Sequence, residues 1–162
     1  MAEVILDVFA LRHARTLRDR DKDPGIDPEF LDRLEIAASL VSKVLLGQGQ
    51  ITIFASPARR TVETAERLLQ SPYLSNSRQT TPDISHHLVE GAFRDSKEND
   101  KIQHWEAALR EMGQQAIEQT DEGSIPGLVL VTHGPVIRDI PHLKGRDIDV
   151  GHLGFNYFQI TI

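Results

Sequence analysis

Two of the seven histidines in this sequence stand just after short apolar runs of the kind that form buried strands. His13 follows the run at residues 4–11 (VILDVFAL), and His133 follows the run at residues 128–131 (LVLV). A neutral imidazole can accept a phosphoryl group and form a covalent intermediate. Because the chain contains no cysteine, no thiol can take that role, and histidine is the natural candidate for a nucleophile.

Arg59 and Arg60 follow a third apolar run, residues 51–55 (ITIFA). The intervening Ser56-Pro57 predicts a helix N-cap with proline at the first helical position, which places both arginines in the first helical turn. A cation there is disfavoured by about 0.3–1 kcal/mol, because the helix dipole is positive at its N-terminus. Either the arginines extend into solvent at little cost, or they bind an anion together with the free backbone amides. Polar residues also follow the other two apolar runs, at 4–11 and 128–131, and this favours the interpretation that the arginines bind an anion.

The anion that suits these groups is phosphate. Its tetrahedral oxygens match several bidentate donors, and phosphoryl transfer requires charge to be neutralised on the equatorial oxygens. The sequence has no GxxxxGK[ST] pattern, which excludes a Walker nucleotide site, and no HExxH pattern. His87 and Glu90 lie three residues apart, which is only a weak metal signal. We therefore expect a phosphate site that relies on histidine and arginine, without a metal.

These side chains must be positioned by strands that alternate with helices. Apolar residues recur every three or four positions in the helical segments, as on one buried face. The pattern predicts an α/β domain whose helices cover both faces of a mainly parallel sheet, with ligands bound at the carboxyl ends of the strands. The predicted elements are strands at 4–11, 51–55, 128–131 and 155–162, a weak strand within 79–89, an exposed loop at 18–29, and helices at about 30–47, 56–70 and 96–120.

The composition is that of one ordinary globular domain, residues 1–162, and it limits the partners. The chain is 40% hydrophobic and 26% charged, with a net charge of −6. This charge disfavours binding to nucleic acid and to acidic membrane surfaces. No run of about 18 apolar residues and no signal peptide is apparent, so we expect a cytoplasmic protein.

Four segments, in order along the chain, resemble the motifs of the histidine phosphatase superfamily. Residues 11–16 (LRHART) resemble its RHG-x-T block, and residues 56–65 (SPARRTVETA) resemble S-P-x-x-R-x-x-x-T-A. Residues 88–93 (LVEGAF) are similar to L-x-E-x-x-[FY], and residues 131–134 (VTHG) are similar to the late histidine-glycine block. The resemblance implies a phosphoglycerate-mutase-like, three-layer α/β/α sandwich. It is greatest to the small SixA-like branch, which has no cap insertion.

The resemblance also implies a role for each matching residue. His13 would be the nucleophile that becomes phosphorylated, and Glu90 would donate a proton to the leaving group and then activate water. The positive charges of the arginines and of a protonated His133 would lower the pKa of His13 and keep its ring neutral. No metal or other cofactor is implied. The residues that would bind the phosphoryl group are Arg12, Arg60, His133, Thr16 and Gly134.

Three departures from the family pattern bear on activity. Ala14 replaces the usual glycine, and we expect its methyl group to crowd the phosphate or to strain the turn. The segment after Phe93 (RDSKEND) lacks the usual W-E-G, and little chain follows Gly134, so the C-terminal layer should be short. Arg15 lies close enough to His13 to help bind substrate. The other histidines, at positions 86, 87, 104, 142 and 152, match no ligand spacing and are expected to have no chemical role.

The hypothesis that the sequence favours is a metal-independent phosphatase that acts on small phosphate esters or on a phosphoprotein through a phosphohistidine. The alternative is a degenerate domain of the same fold that binds phosphate or a protein without turnover, which Ala14 and the missing W-E-G suggest. A phosphomutase is disfavoured, because mutases of the family use extra segments to retain the intermediate and to exclude water. The physiological substrate and the oligomeric state are left open.

Overall fold

The computed structural model describes residues 2–17, 23–92 and 96–162, and this part of the chain forms a five-stranded sheet. The strands are β1 (Ile5–Arg12), β2 (Gly49–Ala55), β3 (Asp83–Ile84), β4 (Ile125–Thr132) and β5 (Phe155–Thr161). Their order is β3-β2-β4-β1-β5, in which the first four strands are parallel and β5 runs antiparallel to β1. The expectation of a mainly parallel sheet is therefore confirmed.

Helices cover both faces of this sheet, as the alternating pattern predicts. They are α1 (Leu31–Val44), α2 (Arg59–Leu69), α3 (Glu98–Glu118) and the short α4 (Gly134–Asp139). One buried apolar cluster lies between the sheet and α1 and α2, and a second lies between the other face and α3 and α4. The three-layer α/β/α sandwich is thus confirmed. None of the helices in the described ranges is long and apolar enough to cross a membrane.

The two clusters arise because successive side chains of a strand point to opposite faces. In β1, Phe9 and Leu11 belong to the cluster under α1 and α2, whereas Val8 and Ala10 belong to the one under α3 and α4. A strand segment buried on both faces must be apolar throughout, which explains the continuous apolar runs at residues 8–11 of β1 and 128–131 of β4.

The long helix α3 buries the stripe that its spacing predicts. Trp105, Leu109, Met112 and Ala116 are at most 2% exposed, and Ile102 is half-buried near the start of the helix. Full burial of one such large apolar side chain stabilises the fold by roughly 1.5–3 kcal/mol. The stripe therefore anchors α3 to the sheet and has a structural role.

The start of α2 differs from the prediction. The helix begins at Arg59, and its N-cap is Ala58, whose extended backbone supplies no capping side chain. Ser56 does not cap the helix because its hydroxyl is engaged with Thr61 and with His133. Both arginines nevertheless lie in the first turn of α2, as predicted.

Two weaker predictions have different outcomes. The weak strand predicted within 79–89 is confirmed as the two-residue β3, which is followed by a 3-10 turn at His86–Leu88. The loop proposed at 18–29 falls partly on residues 18–22, outside the described residues, but Ile26 within it is only 7% exposed. It is held there because its side chain joins the core and its N–H donates to the Glu63 carboxylate at 3.0 Å. Residues 25 and 26 of the predicted loop are therefore buried, and the prediction of an exposed loop is wrong for them.

Candidate active site

Three neighbouring parallel strands end at the same level of the sheet, and the candidate residues follow them directly. β4 stays paired with β1 and with β2 to the ends of those strands. Beyond the ends, the His13 N–H donates to the Thr132 carbonyl at 3.0 Å, and the Ser56 N–H donates to the Val131 carbonyl at 3.2 Å. This register brings His13, Ser56 and His133 to one edge, although they are far apart in the chain.

The ring of His13 is buried and has a defined proton position. It is 6% exposed, and its Nδ1 lies 2.8 Å from the Ala14 carbonyl oxygen. Since a carbonyl can only accept, Nδ1 carries the proton and Nε2 has the lone pair in the neutral ring. Burial is the main cause that lowers the pKa of His13 to about 4, and the charges of Arg60 and Arg12 act in the same direction. At neutral pH the ring is therefore neutral, with Nε2 free to act as a nucleophile.

His133 is the second buried imidazole, and a chain of hydrogen bonds fixes its tautomer. Arg60 Nη2 lies 3.3 Å from its Nδ1, and a guanidinium can only donate, so Nδ1 holds the lone pair. The other nitrogen, Nε2, then donates to Ser56 Oγ at 2.9 Å. Ser56 in turn donates to Thr61 Oγ1 at 2.7 Å, and the Thr61 hydroxyl can donate to the Ala58 carbonyl. Ser56 is a positioning residue for His133.

The expectation of a protonated His133 is wrong for the free pocket. Burial, followed by the charge of Arg60, lowers the pKa of His133 to about 4, and the nearby Glu90 offsets this only in part. The ring is therefore neutral at pH 7, and its one N–H is used on Ser56. To donate a hydrogen bond to an anion in the pocket, His133 must first take up a proton on Nδ1.

Arg12, the last residue of β1, has unused hydrogen-bonding capacity. Its Nη1 donates to the Val150 carbonyl at 2.9 Å. Its Nε is buried and has no hydrogen-bond partner in the part of the chain that the structure describes. A buried donor without a partner typically costs about 1–3 kcal/mol, and more if it is charged. An anionic ligand would remove that cost.

Arg60 lies between carboxylates at the mouth of the site. Its Nη2 is 3.9 Å from Glu90 Oε2, and its Nη1 is 4.0 Å from Asp23 Oδ1. The same Asp23 oxygen accepts the N–H of Arg59 at 2.9 Å. The anion at the N-terminus of α2 is thus supplied by the protein itself, which sequence reasoning did not foresee. Both ion pairs are at the outer limit of contact, so they hold Arg60 only weakly.

All seven predicted site residues line one cavity of about 410 Å³, a volume typical of small-molecule sites. No group of three or more His, Cys, Asp or Glu side chains is placed to hold a metal within the described residues. Pro24, Pro135 and His152 complete the wall. The predicted residues that the structure brings together are His13, Glu90, His133, Arg12, Arg60, Thr16 and Gly134.

Sequence reasoning missed two contributors to this site. Thr64 Oγ1 accepts the Ala14 N–H at 3.0 Å and donates to the Arg60 carbonyl at 2.7 Å, which ties the His13 turn to α2. Its place in the Thr64-Ala65 motif was the available signal. His152, which was expected to have no role, lines the cavity, and its ring centroid is 5.6 Å from that of His13.

Two expectations about the His13 turn are not met. Ala14 is fully buried in the apolar cluster under α1 and α2, so its methyl group points into the core and not into the cavity. Its φ is not positive, so the turn does not need glycine at this position. Arg15 does not line the cavity, because its guanidinium pairs with Asp27 at 2.8 Å and lies 4.8 Å from the Phe30 ring centroid.

The two buried histidines predict that stability falls in mild acid. Their pKa is about 4 in the folded chain and about 6.5 in the unfolded chain, so the unfolded chain binds protons that the folded chain does not between these values. The free energy of unfolding should therefore decrease as the pH falls from 6.5 to 4, by up to about 3 kcal/mol for each histidine. Urea unfolding at pH 7.0, 5.5 and 4.5 measures this decrease.

The control is the double variant His13→Gln/His133→Gln. It should keep only the part of the pH dependence that comes from other groups, including His142 and His152, whose pKa is also lowered by burial. An equally steep decrease in the double variant would show that the two site histidines are not its cause.

Comparison with known proteins supports the fold. No family model and no curated protein matches the sequence. Among solved structures, the chain is similar to a mycobacterial glucosyl-3-phosphoglycerate phosphatase, with 14% identity, a TM-score of 0.62, and 96% of this chain and 91% of that one covered. It is similar to a phosphoglycerate mutase from Bacillus anthracis, with 13% identity, a TM-score of 0.60, and 96% and 88% covered.

A third similar structure is the SixA protein of Agrobacterium tumefaciens. The identity is 15%, the TM-score is 0.55, and the match covers 97% of this chain and 95% of that one. At such identities the likeness concerns the fold, and it extends over nearly the whole length of each protein. This chain therefore has a phosphoglycerate-mutase-like α/β fold.

Proposed function

We propose that this chain is a metal-independent phosphatase that hydrolyses phosphomonoesters or phosphoproteins through a phosphohistidine intermediate on His13. The observation that carries the proposal is the state of that ring. It is buried and neutral, its Nδ1 proton is bonded to the Ala14 carbonyl, and it lies in a cavity with two arginines. Such a cavity can bind an anionic substrate and hold it beside a neutral nucleophile.

In the first step, Nε2 of His13 attacks phosphorus. The N–P bond forms while the bond from phosphorus to the leaving oxygen breaks, and Glu90, in its acid form, donates a proton to that oxygen. The Nδ1 hydrogen bond to Ala14 stabilises the positive charge that develops on the ring. A correctly placed proton donor typically contributes about 10²–10⁴ in rate.

The charge of the phosphoryl oxygens is balanced by Arg12 and Arg60. The buried Nε of Arg12 gains a partner, and Arg60 can exchange its weak contacts with Glu90 and Asp23 for the anion. A phosphoryl dianion beside His133 also favours proton uptake on Nδ1, which turns that ring into a further donor. Stabilisation of charge by such fixed groups is generally the largest contribution to catalysis.

In the second step, water replaces the protein as the acceptor. The Glu90 carboxylate takes a proton from water, the water oxygen bonds to phosphorus, and the N–P bond to His13 breaks. Inorganic phosphate leaves, and Nε2 regains its lone pair. Glu90 has a half-exposed side chain at the mouth of the cavity, where water has direct access to it.

Proteins of similar fold support this proposal. The mycobacterial glucosyl-3-phosphoglycerate phosphatase has been solved with inorganic phosphate and with VO3, and both structures resemble this chain, with TM-scores of 0.53 and 0.57. The cavity of this chain is open to solvent at Glu90, whose side chain is 46% exposed. An open mouth suits a phosphoprotein or a broad range of small phosphate esters.

The test is hydrolysis of p-nitrophenyl phosphate in the presence and absence of EDTA. We expect the same steady-state rate in both, together with a phosphoryl-protein that is labile to acid and stable to alkali, as phosphohistidine is. A rate that is lost with EDTA and restored by a divalent cation would contradict the metal-independent mechanism. A phosphoryl-protein that is stable to acid would contradict the histidine intermediate.

The exposure of Glu90 also favours one alternative, a domain that binds phosphate without turning it over. A proton donor acts best where water is excluded, and nearly half of this side chain is in water. That alternative predicts binding of inorganic phosphate or vanadate with no hydrolysis across a panel of phosphate esters and phosphoproteins. The same assay therefore separates the two functions.

A further inference from the structure

His152 lies in the turn that precedes β5, and this turn is held in place by many contacts. The buried side-chain amide of Asn156 makes two hydrogen bonds to the backbone of Asp149 in this turn. Its Nδ2 donates to the Asp149 carbonyl at 2.7 Å, and its Oδ1 accepts the Asp149 N–H at 2.8 Å. Within the turn, the Gly151 N–H donates to Asp149 Oδ1 at 3.0 Å, and the Gly154 N–H donates to the Gly151 carbonyl at 2.8 Å. The turn is therefore a rigid support.

The same turn is tied to the strand that carries the nucleophile. The Leu153 N–H donates to the Arg12 carbonyl at 3.0 Å, and Arg12 Nη1 donates to the Val150 carbonyl at 2.9 Å. Leu153 has φ +59°, which is unfavourable for a residue with a branched side chain, yet it is only 8% exposed. Strain of this kind persists only where the surroundings over-determine the backbone, and it is concentrated at functional sites.

The strained turn presents the His152 ring to the cavity. The ring centroid is 5.6 Å from that of His13, and its edge-on packing against Phe30, at 6.0 Å and 84°, restricts its orientation. Neither ring nitrogen has a hydrogen-bond partner among residues 2–17, 23–92 and 96–162. Burial, with the charges of Arg12 and Arg15, lowers the pKa of His152, so at neutral pH its ring offers one N–H and one lone pair.

The other two imidazoles that the described residues bring to this cavity have no N–H to spare. The N–H of His13 is used on the Ala14 carbonyl, and the N–H of His133 is used on Ser56. His152 is thus the imidazole in the wall whose N–H is uncommitted before the substrate binds. It can donate to an incoming anion without first taking up a proton.

We propose that His152 is a third imidazole of the active site and donates a hydrogen bond from its ring to a non-bridging oxygen of the phosphoryl group that His13 accepts. This inference rests on the proposed function, because it assigns the cavity to phosphate. It gives the turn before β5 a direct part in binding the substrate. It also accounts for the strain at Leu153, which is the cost of holding the ring in the wall.

The experiment compares three variants by their affinity for inorganic phosphate, measured by calorimetry, and by vanadate inhibition of p-nitrophenyl phosphate hydrolysis. His152→Phe keeps an aromatic ring to pack against Phe30 but removes the donor. We expect it to weaken phosphate binding about tenfold or more, as for loss of a hydrogen bond to a charged group. His152→Gln keeps a donor and should retain most of the affinity. The control is His86→Phe, the same change at an exposed histidine outside the cavity wall, and it should bind phosphate normally.

The outcomes separate this inference from the proposed function. Unchanged phosphate affinity in a folded His152→Phe variant would overturn the inference. Equal loss in His152→Phe and His152→Gln, with a lower thermal midpoint in both, would also overturn it, because the turn and not the donor would then be what matters. If the wild-type protein binds phosphate but hydrolyses nothing, the phosphatase function fails while calorimetry still decides the role of His152. If it does not bind phosphate, both fail.

Discussion

His13→Ala is expected to lower kcat for p-nitrophenyl phosphate by a factor on the order of 10⁴ or more, as for loss of a covalent nucleophile in other enzymes. The reason is that His133, the other buried imidazole of the site, cannot accept the phosphoryl group in the same geometry. The lone pair of His133 Nδ1 is directed at Arg60, and the mechanism routes every turnover through Nε2 of His13. Steady-state kinetics and a search for the phosphoryl-protein measure the effect.

The affinity of His13→Ala for inorganic phosphate shows whether the loss of activity comes from the missing nucleophile or from a damaged binding site. Arg12 and Arg60 are intact in His13→Ala, so the affinity for inorganic phosphate should stay within a few-fold of the wild-type value. The matched control is His86→Ala at an exposed histidine outside the cavity, which should keep full activity. Wild-type turnover in His13→Ala would remove the nucleophile from the mechanism.

Arg60→Ala should give the second-largest effect, a decrease in kcat of about 10²–10³, which is typical for loss of one donor that stabilises developing negative charge. A second consequence follows from its position. The charge of Arg60 lowers the pKa of both His13 and His133, so its removal should raise both pKa values. The acid limb of the kcat/KM profile should therefore move to higher pH, a shift that general destabilisation would not produce.

Arg59 supplies a matched control at the adjacent position. It begins the same helix, but its Nε donates to Glu63 at 2.7 Å, and it does not line the cavity. Arg59→Ala should lose this exposed ion pair, with little effect on stability and none on the pH profile. Arg60→Lys keeps the charge without the planar fork and should fall between the wild type and Arg60→Ala. Equal losses in Arg59→Ala and Arg60→Ala would contradict the assignment of Arg60.

Most of the layered fold follows from local patterns in the sequence. Runs such as residues 128–131 are apolar because both faces of their strands are buried. In α3 the apolar residues recur on one face because that face packs on the sheet. These causes act over a few residues, so they produce hydrophobic patterns that can be recognised in the sequence. His13, Arg60 and His133 come together at one edge because each follows a parallel strand, and these neighbouring strands end at the same level of the sheet.

Local reasoning failed where a distant partner outweighs the local preference. Ser56-Pro57 has the composition of a helix start, but the Ser56 hydroxyl accepts from His133, far along the chain, and leaves the cap to Ala58. Ile26 stands in a charged, proline-containing segment and is nevertheless buried. Neither contact has a signature in the neighbouring residues.

The sequence by itself determined the layer order, and it predicted most of the residues that are proposed to bind and transfer a phosphoryl group, because residue type and short-range spacing carry both signals. Only the tertiary structure decided that both buried imidazoles are neutral, that the proton of His13 is on Nδ1 and that of His133 is on Nε2. It alone added His152 to the cavity wall. Proton positions and pKa values depend on burial and on charges from distant parts of the chain, which are defined only once the strands have come together.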